Sequence, residues 1–199
     1  TFGVTNDKEG LDFFIEPSAL SIHDSLPSFH KEGFIAFVIG AKHRTKRLPD
    51  EKIITLCKSA PLPVVLIGGP EDKTRGDLIA QACGEKVYSS CGKTSLHESA
   101  ALIKFSNSVI THDTGMMHIA SAMRKKIISV WGNTIPEFGM YPYYGDKNGG
   151  AEKGLSTVVE VKNLSCRPCS KIGFDKCPKG HLNCLNKIDE GEIISRLKD

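Results

Sequence analysis

Aromatic residues are scarce in this chain. They make up 7% of its 199 residues, and there is a single tryptophan. None interleaves with the densest basic run, KHRTKR at Lys42–Arg47. Nucleic-acid binders need a broad basic face or bases stacked on aromatic side chains, and a net charge of +3 does not supply the first. No nucleic-acid partner is expected. Long apolar runs are also missing, since none nears the roughly 18 residues of a membrane span. The opening residues, TFGVTNDKEG, hold no apolar stretch of the kind a secretory signal needs. They begin with Thr rather than Met, so the expectation is a piece of a longer protein.

Hydrophobic residues reach 40%, enough for a real core. Seven cysteines are present. Cys57, Cys83 and Cys91 are scattered, as reduced thiols in a cytosolic protein would be. Cys166, Cys169, Cys177 and Cys184 cluster near the C-terminus. The Cys166-x2-Cys169 pair with two further cysteines has the look of a four-thiolate zinc site, in which His181 could replace one ligand. Reduced thiols in a compact tail, or a disulfide formed on purification, are the alternatives.

Apolar patterning organises the rest. Phe34–Gly40, Pro63–Ile67, Ser108–Thr111 and Ile127–Trp131 are short continuous apolar runs, as strands buried on both faces require. Val158–Val161 is a fifth candidate. Helices are expected from Pro49 to Ser59, Glu71 to Cys83, Leu96 to Phe105, Thr114 to Met123 and Asp189 to Leu197. Ser95 with Glu98 three residues on marks a capping box for the third of these. Thr1–Gly33, broken by Pro17 and Pro27, reads as a connecting segment, and Gly145–Gly154 as a mobile loop. Strands alternating with helices imply an α/β fold with a parallel sheet. Ligands bind such sheets beyond the carboxyl ends of their strands, and the basic loop, Gly68–Asp72, His112–Gly115 and Gly132–Glu137 all fall on that edge.

The turn His112-Asp113-Thr114-Gly115 stands out among these loops. Asp113 could cap the following helix, which would account for an Asp there. Gly115 is harder to explain, because glycine in a helix costs about 1 kcal/mol against alanine. It makes sense where a ligand must approach the backbone. The first-turn N–H groups and the helix dipole form an anion site, to which Thr114 adds a hydroxyl. His118 follows one turn along the same face and can reach back towards a bound phosphate. Asp-Thr-Gly also occurs in aspartic proteases, but those need paired carboxylates. No second copy is present here, and a helix follows directly.

These residues resemble glycosyltransferase family 9, the ADP-heptose:lipopolysaccharide heptosyltransferases. The resemblance rests on GAKHRTKRLP, LIGGPED, CGKTSLHESAALI, THDTGMMHIASAM, SVWGNT and LSCRPCSKIGFDKCPKGHLNC, in the family's order. It implies a GT-B enzyme of two Rossmann-like domains, of which this chain is the C-terminal, donor-binding one. Residues 1–33 would be the linker or the end of a missing N-terminal domain. Residues 34–199 would be the ADP-sugar domain, with a Cys-rich tail at 164–186 and a closing helix.

By resemblance the donor site comprises Lys46, Gly69, Glu71, Asp72, Asp113, Thr114, Gly115, Met116 and His118. Lys46 and the Thr114–Gly115 turn with His118 would hold the pyrophosphate, and Glu71 or Asp72 would face the ribose or adenine. The general base is expected in the missing domain, and no cofactor is required for the transfer. The acceptor would be the lipid A–core, reached through that domain in the cytoplasm, with peripheral association at the inner membrane. The family's Lys-x-Trp-Pro pattern appears here as Lys46-Arg47-Leu48-Pro49, without the aromatic. A GT-B enzyme using another nucleotide sugar and a non-catalytic nucleotide-binding module are the alternative readings. A zinc-stabilised interaction module is a third.

Overall fold

The computed structural model describes residues 3–146 and 154–198. Six strands form one parallel sheet: β1 (Ile35–Val38), β2 (Val64–Ile67), β3 (Val87–Ser89), β4 (Ser108–His112), β5 (Lys126–Trp131) and β6 (Ser156–Glu160). Their spatial order is β3-β2-β1-β4-β5-β6. The chain winds outward from β1 to β3, then returns to lay β4 against the other side of β1. Ile35 pairs with Val64 on one side and with Ser108 on the other. This reversal opens a crevice at the carboxyl ends of β1 and β4, where open α/β sheets bind ligands. The fold is α/β and Rossmann-like, as expected from the sequence.

Seven helices complete the described fold: α1 (Ser28–Lys31), α2 (Asp50–Ser59), α3 (Lys73–Cys83), α4 (Leu96–Phe105), α5 (Gly115–Ala122), α6 (Asn183–Asn186) and α7 (Glu190–Lys198). Alternate strand residues point to opposite faces, so each strand feeds two cores. Ile35, Phe37 and Ile39 join Ile53 and Leu56 of α2, Ile79 of α3 and Ile193 of α7. Phe34, Ala36 and Val38 instead join Leu102 of α4, Met117 of α5 and Trp131. Having both faces covered is why the strands read as unbroken apolar runs.

Several elements differ from the sequence reading. β3 was not expected; it is three residues long and carries a Tyr and a Ser, too short and polar to stand out. The helix expected from Glu71 begins as a 3-10 turn, Pro70–Asp72, before α3 starts at Lys73. The segment expected to connect only forms a 3-10 helix, Pro17–Ser25, against α4, and Leu26 enters the second core. The capping box at α4 is present, with Glu98 N–H on Ser95 Oγ and Ser95 N–H on Glu98 Oε2. The fifth expected strand is β6. Of the loop expected at Gly145–Gly154, residues 147–153 lie outside the described residues. No described helix is long and apolar enough to cross a membrane.

Candidate functional site

Gly40–Pro49 follows β1 and passes over the crevice. Arg75 of α3 holds both of its ends. Its guanidinium donates to the carbonyls of Ile39 and Leu48 and to Asp50, at 3.0, 2.6 and 2.6 Å. Leu48 is fully buried, and its N–H donates to Nε2 of buried His112 at 3.0 Å. That bond makes Nε2 an acceptor, so the neutral ring carries its proton on Nδ1. Burial, aided by Arg75 and other nearby guanidinium charges, lowers the His112 pKa to about 3.

Arg47 donates to the Ala41 carbonyl at 2.5 Å and to Asp72 at 3.2 Å. Asp72 also accepts the Gly69 N–H. Its carboxylate fits only because Gly40 and Gly68 lack side chains: a Cβ on Gly40 would lie 2.4 Å from Asp72 Oδ2.

Lys46 reaches from this loop to the turn after β4. Its ammonium lies 2.6 Å from Asp113 Oδ2, and both side chains are largely buried. The Thr134 hydroxyl donates to the same oxygen at 2.9 Å. Asp113 therefore does not cap α5. Thr114 occupies the N-cap position, with no side-chain cap bond. The first N–H groups of α5 have no partners within their own helix. Thr114 Oγ1 is buried there without a hydrogen-bond partner among the described residues. The mouth of α5 is thus a cluster of donors with Lys46 beside it. His118, half-buried one turn on, has its pKa lowered by burial, partly offset by Asp113.

A cleft of about 780 Å³ opens at this edge, within the usual range for small-molecule sites. Val38, Ile67, Met116 and Ile119 give it an apolar floor, and Lys42 and Arg47 give it positive charge. Gly69, Glu71, Asp72, Thr114, Gly115 and Met116, all expected from the sequence, line it. Lys46, Asp113 and His118 stand beside it rather than in its wall. A flat apolar body with a phosphate at one end suits these surfaces.

Comparison with known proteins gives the family. Residues 2–169 match the model of glycosyltransferase family 9 (heptosyltransferase). The chain belongs to glycosyltransferase family 9. Lipooligosaccharide heptosyltransferase 2 of Haemophilus influenzae is 38% identical over 168 residues, covering 77% of this chain and 46% of that protein. The structure of ADP-heptose LPS heptosyltransferase II from E. coli superposes with a TM-score of 0.70 at 21% identity, over 94% of this chain and 52% of that one. A second E. coli heptosyltransferase, solved with ADP, gives a TM-score of 0.61 at 20% identity, over 99% and 52%. The chain thus spans about half the length of the relatives it matches.

Sequence reasoning about this family 9 chain missed the third wall of the cleft. Thr94, Ser95 and Ser99 line it, and they follow β3, the strand that was not expected. Arg47 was noted only as part of a motif. Its value lies in Asp72 and Ala41, contacts that no local spacing reveals.

Only the first two of the four tail cysteines fall within the family match. All four, with His181 and Asn133, surround a second cavity of about 100 Å³. Cys184 has its pKa pushed up to about 11 by burial and then by the neighbouring sulfurs. Both side-chain polar atoms of Asn133 are buried without partners among the described residues. His181 Nδ1 accepts the Asn183 N–H, so in the neutral ring Nε2 carries the proton and faces Cys166 Sγ at 3.9 Å. That nitrogen is thereby set as a donor rather than a metal ligand. Among the described residues, no three His, Cys, Asp or Glu side chains are arranged around one ion as they stand.

Proposed function

We propose that this chain is the donor-binding half of an inverting glycosyltransferase that transfers heptose from ADP-heptose to the lipopolysaccharide inner core. The observation that carries the reading is the junction of Lys46 with the mouth of α5, at the phosphate end of an apolar-floored cleft. Family membership and the E. coli relative solved with ADP support it.

In this reading the adenosine lies along the cleft, with Glu71 beside the ribose or base. The diphosphate meets Lys46, the Thr114–Gly115 backbone and His118. Departure of ADP builds negative charge on the diphosphate. Fixed N–H dipoles and an ammonium at that place favour the transition state over the ground state. The general base and the acceptor surface belong to a further domain of the kind the relatives' greater length accommodates. The setting is the cytoplasm, at the inner face of the inner membrane.

We further propose that the tail cavity takes a structural zinc. The donor set supports this: four thiols line one small void, the ligand type and number that a structural zinc takes. Binding requires the cysteine side chains to turn inward from their present positions.

Titration calorimetry with ADP, UDP and GDP tests the main reading. ADP is expected to bind most tightly. Preference for UDP would place the chain with a GT-B enzyme using another nucleotide sugar.

A further inference from the structure

The cysteine-rich tail does more than close the fold, because it grips the donor loop at one residue. Thr45 is 1% exposed and sits immediately before Lys46. Its hydroxyl donates to the Phe174 carbonyl at 2.9 Å and accepts the Phe174 N–H at 2.8 Å. Its own N–H also donates to the Phe174 carbonyl, at 3.1 Å, and its carbonyl accepts the Asn133 N–H at 3.3 Å. Every polar group of Thr45 is thus engaged, two of them by the tail.

The surroundings leave this junction little room to shift. A Cβ on Gly132 would lie 2.4 Å from the Thr45 carbonyl oxygen, and one on Gly173 would lie 2.7 Å from His43 Cβ. The tail is itself anchored to the turn after β5. Arg167 donates to the carbonyls of Gly132 and Thr134 and to Glu160, at 2.6, 2.8 and 2.5 Å. The Cys169 N–H donates to the Asn133 carbonyl. Thr134, in that same turn, is the residue whose hydroxyl holds Asp113. One rigid piece therefore fixes both the loop that carries Lys46 and the carboxylate it meets.

We propose that Thr45 is a positioning residue for the donor phosphates: clasped by Phe174 of the tail, it sets where the Lys46 ammonium stands at the mouth of α5. It touches no ligand and acts only through its neighbour. The proposal rests on the reading of Lys46 as a phosphate contact.

Valine has the shape of threonine but neither donates nor accepts. Thr45→Val leaves the Phe174 N–H without its partner and releases the loop from the tail on that side. In the purified chain, ADP affinity is expected to fall about fivefold while adenosine affinity stays within about twofold. Thr45→Ser keeps the hydroxyl and should restore ADP binding. Placed on Lys46→Ala, Thr45→Val should add no further loss, because contacts that act through one group do not add. Gly173→Ala attacks the junction from the tail side and should reproduce the selective loss, which keeps the test open if Thr45→Val does not fold.

Equal losses for ADP and adenosine, or losses that add to those of Lys46→Ala, would show that Thr45 serves the fold alone and would overturn the proposal. If Lys46→Ala by itself leaves ADP binding intact, the phosphate reading is wrong and this inference falls with it. If Lys46→Ala weakens ADP but Thr45→Val and Gly173→Ala do not, only the inference fails.

Discussion

Lys46 and Asp113, 67 residues apart in the sequence, meet at 2.6 Å across the crevice between β1 and β4. The carboxylate holds the ammonium in place and also competes with any anion for it. These two effects give opposite signs in mutants. Lys46→Ala removes a charge-assisted contact of roughly 1.5–3 kcal/mol, so ADP affinity should drop about ten- to a hundredfold. Adenosine, which has no phosphate, should be unaffected. Asp113→Asn can still accept from Lys46 and Thr134 but no longer repels phosphate, and ADP should bind about fivefold more tightly. Calorimetry on both variants checks the pair. Losses of equal size for ADP and adenosine would remove Lys46 from the phosphates.

Gly115 gives a second test with divided signs. A Cβ there meets no atom within 4 Å. Since glycine in a helix costs up to about 1 kcal/mol against alanine, Gly115→Ala should stabilise the unliganded chain by some part of that. The same methyl group would occupy the space through which a phosphate approaches the α5 N–H groups. A higher melting temperature with about tenfold weaker ADP binding is expected. Unchanged ADP binding would mean that nothing comes close to that backbone.

His112 should make the fold sensitive to acid. Its folded pKa is about 3, against roughly 6.5 when unfolded. Between those values the unfolded chain binds more protons, so the contribution is complete above about pH 6.5 and is lost as pH falls. At pH 5 the loss is about 2 kcal/mol. The lowered pKa of His118 acts in the same direction. Denaturant melts at pH 7 and pH 5 should show the drop, and His112→Gln should flatten it. An unchanged slope in that variant would point to other groups.

The tail cavity yields a fourth prediction. If four thiolates share zinc, the chain purified under reducing conditions should carry about one equivalent, and a strong chelator should loosen residues 166–184. Elemental analysis that finds no metal in such a preparation would end the idea.

The sheet was legible because β1, β2, β4 and β5 are buried on both faces, and their composition alone says so. β3 was not, because Val87–Ser89 offers one fully apolar residue and two that fit a loop equally well. In the site, the Thr114–Gly115 turn could be read locally, since a glycine at a helix start calls for an explanation. Asp72 could not be placed in this way. Its carboxylate is held by Arg47 and the Gly69 N–H and packs against glycines that follow two different strands. The engagement of Thr45 by Phe174 lies still further from local rules.

That last contact spans 129 residues, and it sets an order of events during synthesis. All the strands have been made by Glu160, yet the Thr45 hydroxyl has no lasting partner until Phe174 emerges. At roughly 5–20 residues per second the wait is on the order of ten seconds. A nascent chain on the ribosome has made its anion turn well before it can finish this loop. A premature stop before Phe174 would release a sheet with every strand present and Thr45 without its clasp.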